Sequence, residues 1–296
     1  MPFINKDVYF THLFLQYNID NVLICGHVQY GEYARQCLLE MKPTHKTLLY
    51  ISEPVNNLNT YKYSQLGIEN NEFDILFGCI NHDPKNNRFK YPLYVFTSKI
   101  SDITMLARFE ATNLYVKELT DEEILAKSYC TLIARWDPGN TRTCIANYLV
   151  DLGDITRPSL LFNNCPIEET ERLDAMGKHN YLKEFKFNIC PENYDYGNVP
   201  GYITEKLMDC CLGGAIPVYA GSIDEYDRKV FNMNRVLFYN SKDPDSIQRV
   251  FSTVAILLND PDKFLEFYRQ PVFCDTAYET IELLKRDSHD MMKSWK

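Results

Sequence analysis

Between Lys186 and Gly221 the chain reads KFNICPENYDYGNVPGYITEKLMDCCLGGAIPVYAG. A strand-like run leads into a polar, aromatic loop, then a helix whose first turn carries Glu205 and Lys206, then a second apolar strand. A helix start offers free N–H groups and a partial positive charge, which suits a diphosphate. Lys206 adds a full charge, and Glu205 can accept bonds from vicinal hydroxyls. The same pair also reads as a surface ion pair on a first turn, and spacing alone leaves the two readings level.

Other spacings lose to plainer readings. Gly26 and Gly31 are set as in a phosphate-binding loop, but Glu32 and Tyr33 stand where Lys and Ser or Thr would be needed, so a strand-to-helix turn is expected. Asp-Pro-Asp occurs at 243–245 and 260–262, and two such carboxylates can hold a cation against a diphosphate. Each precedes an amphipathic stretch, where Asp caps a helix and Pro starts it, so both are read as helix starts. The six histidines lack zinc spacing, and neither Ser52 nor Ser222 sits in a nucleophile elbow.

The elements that must position these groups form an α/β series. NVLIC, TLLYIS, FDILFGC, YCTLIARW, PSLLFN, EFKFNICPEN and AIPVYAG read as strands, separated by amphipathic stretches. Thr120 with Glu123 forms a capping-box pattern, and a new strand–helix series begins after it. The expected domains are therefore 1–125 and 126–296. Glu72, ahead of the third strand, reads as an exposed charge.

Composition is that of a globular chain: 296 residues, 45% hydrophobic and 24% charged, with net charge −9. An acidic chain without basic blocks argues against a nucleic-acid partner, while leaving room for a small anion met by two or three cations. The 10 cysteines fit buried free thiols rather than disulfides or metal ligands, since no C-x-x-C occurs. No signal peptide, membrane-length apolar stretch or glycosylation sequon is present, so a cytoplasmic location and no membrane span are expected.

The segment YITEKLMDCCLGGAIPVYAG resembles the signature of the α-1,3-fucosyltransferases, glycosyltransferase family 10. Matching positions are Glu192 and Asn193, then Tyr202, Ile203, Thr204, Glu205 and Lys206, then Pro217, Val218 and Gly221. ARWDPGNTR is similar to the family's arginine-bearing donor segment and puts that arginine at Arg142. YISEP resembles a strand-end segment that puts the catalytic base at Glu53. Pro191 departs from the family's aromatic residue, and the loop Tyr194 to Gly201 is longer than usual.

The resemblance implies a GT-B architecture, two Rossmann-like domains facing across a cleft. Residues 1–125 would bind the acceptor and 126–296 the GDP-sugar, with the last helix packing back on the first domain. It implies an inverting transfer of fucose from GDP-fucose to a hydroxyl of a glycan or glycoconjugate. Glu53 would act as base, and Arg142, Glu192, Asn193, Tyr202, Thr204, Glu205 and Lys206 would bind the donor. No divalent metal is expected to be essential. Two alternatives remain: a transferase for another GDP-sugar, and a catalytically silent sugar- or nucleotide-binding protein.

Overall fold

The computed structural model describes residues 22–26, 31–44, 46–51, 62–92, 94, 102–193 and 201–294. The chain divides into two compact units: Met1–Leu93 with Gly197–Tyr202 and Glu279–Lys296, and Tyr94–Tyr196 with Ile203–Tyr278.

The first unit runs β1 (Val22–Gly26), α1 (Glu32–Met41), β2 (Lys46–Ile51), α2 (Lys62–Glu69), β3 (Ile75–Gly78) and β4 (Arg88–Lys90). The four strands are parallel, in the order β1-β2-β3-β4. Every residue of β2 after Lys46 is buried, as a parallel strand covered on both faces requires. Leu38 of α1 packs on Leu49, Ile51, Phe73 and Ile80. Gly78 closes β3 with φ +120°, and a side chain there would put its Cβ 2.2 Å from the Ile51 carbonyl oxygen. Gly31 precedes α1, in keeping with the expected turn into a helix at Glu32.

Glu72 departs from its expected exposure. It is buried, and its carboxylate receives the Arg35 guanidinium in a multiply bonded ion pair. Its position before β3 puts it under α1, where a bare carboxylate would be costly without that arginine.

The second unit continues with α3 (Asp102–Glu118), α4 (Asp121–Leu125), β5 (Ser128–Thr131), α5 (Thr141–Leu149), β6 (Ile155–Thr156), α6 (Ile167–Met176), α7 (Lys178–Leu182), β7 (Phe185–Ile189), α8 (Glu205–Leu212), β8 (Ile216–Tyr219), α9 (Asp227–Val230), β9 (Leu237–Phe238), α10 (Pro244–Asn259) and α11 (Pro261–Tyr268). Helix α12 (Ala277–Lys293) groups with the first unit from Glu279 onward. The five strands are parallel, ordered β6-β5-β7-β8-β9.

Local signals account for the helix starts. Thr120 and Glu123 complete the capping box of α4. Asp243 accepts from Asp245 N–H and Asp260 from Lys263 N–H, each followed by a proline at the first helical position of α10 or α11. Buried Arg235 ties the end of α11 to the turn after α8, donating to the carbonyl of Tyr268, the last residue of α11, and to those of Gly214 and Ala215. Carbonyls at a helix C-terminus carry partial negative charge, so they suit a buried cation.

PSLLFN is not a strand. It forms a turn with Leu160 and Phe162 70% and 57% exposed, and the strand beside β5 is Ile155–Thr156, just before it. Pro158 removes a ladder donor there, and Leu161 N–H donates instead to Ala134 O at 2.9 Å. Nine of the ten cysteines, all but Cys25, are described as free thiols. Among those residues no helix is long and apolar enough to cross a membrane.

Candidate functional site

The order β6-β5-β7 makes the chain leave β5 to one side for β6 and return on the other side for β7. At such a reversal the connections diverge and leave a crevice outside the carboxyl ends of the strands, where open α/β sheets bind ligands. Arg142 follows β5 on α5, and Glu192 and Asn193 follow β7. The Arg142 and Asn193 side chains meet there.

Arg142 is buried in the first turn of α5. Its Nη2 donates to Pro191 O at 3.0 Å and Asn193 Oδ1 at 3.2 Å. Nη1 lies 3.6 Å from Asp137 Oδ1 and is buried with no hydrogen-bond acceptor among the described residues. An orphaned guanidinium N–H is a costly feature for packing alone and a useful one for an incoming anion.

Asp137 is a residue the sequence reading missed. It accepts from Arg142 N–H, Thr143 N–H and Thr143 Oγ1–H at 3.1, 2.7 and 2.7 Å, and so holds the start of α5. Its place ahead of Pro138 and Gly139 is the available signal, because Asp before such a turn commonly caps the helix that follows.

Helix α8 brings the second cation. Its N-terminus is Thr204, whose side chain makes no capping bond to the helix and turns to Glu192. Lys206 Nζ donates to Thr204 Oγ1 at 2.8 Å and Glu205 Oε1 at 3.2 Å, and stands 3.3 Å from Glu192 Oε2. Burial alone would lower the Lys206 pKa, but the charges of Glu192 and Glu205 outweigh it and leave the amine above the ordinary lysine range. Burial pushes Glu205 up, while Lys206, its own backbone N–H and Lys178 bring it below the ordinary range. Asp209, also on α8, is held by Lys178 Nζ and His179 Nε2 at 2.9 and 2.8 Å, which fixes the helix against α7.

Arg142, Glu192, Asn193, Thr204, Glu205 and Lys206 therefore converge in the second unit. Tyr202 is buried and groups with the first unit, and Glu53 lies outside the described residues. Tyr219, at the end of β8, is a further partner that sequence gave no sign of: its hydroxyl donates to Glu192 Oε1 at 3.1 Å. Among the described residues no group of three or more His, Cys, Asp or Glu side chains is placed to hold a metal ion.

No protein-family model matches the chain. The α-(1,3)-fucosyltransferase FucT of Helicobacter pylori is 37% identical over 57 residues, which is 19% of this chain and 11% of that protein. A crystal structure of an α1,3-fucosyltransferase superposes with a TM-score of 0.60 at 16% identity, covering 92% of this chain and 78% of that one. An α1,3-fucosyltransferase with GDP-fucose gives 0.56 at 16% identity, covering 92% and 90%. The fold is thus α/β with the GT-B architecture of glycosyltransferases, built from two Rossmann-like units. Within that fold, the likeness in both sequence and structure is to the α-1,3-fucosyltransferases.

Proposed function

We propose that the protein is an inverting glycosyltransferase that moves fucose from GDP-fucose to a hydroxyl of a glycan or glycoconjugate. The observation that carries this reading is the convergence of Arg142 and Lys206 at the β5/β7 reversal, beside the N-terminus of α8. The crevice at the carboxyl ends of β5 and β7, the helix start and two fixed cations together suit a nucleoside diphosphate better than a neutral ligand.

In the proposed reaction, residues 126–296 hold GDP-fucose and residues 1–125 present the acceptor. Glu53 takes the acceptor's proton as its oxygen attacks the anomeric carbon, in one displacement that inverts configuration. Negative charge gathers on the departing GDP, and Arg142, Lys206 and the amides at the start of α8 stabilise it. Asn193, Thr204, Glu205 and Tyr202 complete the donor side. Two fixed cations supply the charge a divalent ion would otherwise bring, so the reaction is proposed to need no metal. The protein is placed in the cytoplasm in this reading.

The test is donor recognition followed by turnover. GDP at a hundredfold excess over Kd should stabilise the protein by about 2.7 kcal/mol, and UDP at equal concentration by much less. GDP-fucose should be hydrolysed slowly alone and transferred to a member of an acceptor array, with EDTA leaving most of the activity. Equal protection by UDP overturns the donor assignment. GDP binding without any turnover favours a silent binding protein, and turnover of a different GDP-sugar favours the other transferase.

A further inference from the structure

Glu192 has no exposed surface, and its carboxylate is fully engaged. Oε1 accepts from Thr204 N–H at 2.8 Å and Tyr219 Oη–H at 3.1 Å. Oε2 accepts from Thr204 Oγ1–H at 2.7 Å and faces Lys206 Nζ at 3.3 Å. The backbone is pinned as well: Glu192 N–H donates to Ala220 O at 2.9 Å, and Glu192 O accepts from Thr141 Oγ1–H at 2.8 Å. A donor reaching this carboxylate would have to displace one of these partners.

We propose that Glu192 is a positioning residue which acts through Lys206 and Thr204 and does not touch the donor. This assignment rests on the reading of Lys206 as a donor cation. The two acids beside the ammonium then have different parts. Glu205 is 34% exposed at its side chain and bonds Lys206 from the helix surface, so it is free to exchange that bond for one to a ligand. Glu192 stays where it is and keeps the ammonium charged and aimed while Glu205 moves.

Thr204 Oγ1 links the parts, donating to Glu192 and accepting from Lys206. Turned toward Glu192 and Lys206, that hydroxyl makes no capping bond to α8, and the first-turn amides are left without a side-chain acceptor from Thr204. One buried carboxylate thus engages both the lysine of α8 and the threonine at its start, which does not cap the helix. The charged groups facing Lys206 are Glu192 after β7, Glu205 on α8 and Arg142 on α5; Lys178 on α7 faces Glu205, and Asp137 faces Arg142.

The experiment uses the full chain as wild type, Glu192→Gln, Lys206→Arg and the double variant, with GDP affinity measured by calorimetry from pH 7 to 10.5. Titration of the nucleotide is common to all four, so differences between proteins are read. Glu192→Gln should weaken GDP binding about tenfold. It should also move the alkaline loss of binding down by about a pH unit or more, the scale of removing one close opposite charge. In the Lys206→Arg background the same change should leave the alkaline limb in place, because arginine keeps its proton there. A Glu192→Gln limb that overlays wild type overturns the assignment.

A second measurement needs no GDP. Competitive acetylation of wild type and Glu192→Gln with acetic anhydride is read by peptide mass spectrometry across pH. In wild type Lys206 should become reactive at higher pH than the other lysines taken together, and in Glu192→Gln at lower pH than in wild type. Wild-type reactivity in step with the other lysines, or no shift in Glu192→Gln, overturns the assignment. Failure of wild type to bind GDP would strike the donor reading alone, since acetylation of wild type and Glu192→Gln compares the Lys206 amine with and without the Glu192 charge regardless of GDP.

Discussion

Asp137 and Arg142 are joined twice: Asp137 Oδ1 accepts the Arg142 backbone N–H at 3.1 Å and lies 3.6 Å from the same residue's Nη1. One carboxylate both starts helix α5 and opposes its buried arginine. Asp137→Ala should therefore lose a cap and leave a buried cation without its counter-charge. The expected destabilisation is about 3 kcal/mol or more, read from urea denaturation. Asn at 137 should recover part of the cap. An Asp137→Ala midpoint equal to wild type would mean that α5 is held by other contacts.

Removing either cation should damage turnover. Arg142→Ala and Lys206→Ala should each lower kcat/KM by about a hundredfold or more, the effect of losing one charge-stabilising donor. Arg135 lies exposed in the loop after β5, and Arg135→Ala should remain near wild type. The reverse pattern, with Arg135 essential and Arg142 dispensable, would move the donor site off the first turn of α5.

Glu53→Gln should keep GDP affinity and lose transfer by roughly 10²- to 10⁴-fold, as expected for a proton acceptor. Glu72 is unsuitable as its control, because Glu72→Gln breaks the ion pair with Arg35 and should cost about 1.5–3 kcal/mol. The exposed Glu69 at the end of α2 serves instead, with Glu69→Gln expected to behave as wild type. Full transfer by Glu53→Gln would send the search for the base elsewhere in residues 1–125.

Lys127 gives a pH signature. Burial pushes its pKa down to about 8, against partial recovery from Glu123 and Glu184, while its amine donates to Tyr115 Oη at 3.1 Å and to Lys183 O. The unfolded lysine titrates near 10.4, so between about pH 8 and 10 the unfolded chain binds more protons. This residue's contribution therefore disfavours folding at neutral pH and becomes less unfavourable as pH rises through that window. Relative to Lys127→Met, wild type should gain stability between pH 8 and 10. Denaturation midpoints whose difference is the same at pH 7 and pH 10 would show that the burial is not felt.

Helix starts were legible because their chemistry is local. Thr120 with Glu123 is a complete capping box, and Asp243 with Pro244 and Asp260 with Pro261 each pair a cap with a helix-starting proline, all within four residues. Buried parallel strands were legible as continuous apolar runs, TLLYIS being the plainest. Helix α3 was not. Met105, Phe109 and Val116 are buried, but Leu106 and Leu114 are exposed at 45% and 50%, so the sequence shows no single apolar stripe. PSLLFN misled for the opposite reason, an apolar run whose side chains face solvent in a turn.

Sequence by itself determined the longer buried strands, both Asp-Pro-Asp caps and the Glu205–Lys206 helix start, since each depends on neighbours a few residues away; it did not mark α3 or the short strands β4, β6 and β9. The resemblance motif also put Arg142 and Glu192 among the candidates. Only the tertiary structure decided which atoms these residues use. Thr141 bonds Glu192 across 51 positions and Tyr239 across 98, contacts that exist because the sheet orders β5 beside β7 and not beside β8. The same order buries Glu192 against Tyr219 and Thr204 while leaving Arg142 Nη1 without an acceptor among the described residues. Burial and partner geometry, which no local pattern encodes, separate the carboxylate that holds the site from the cations that face the crevice.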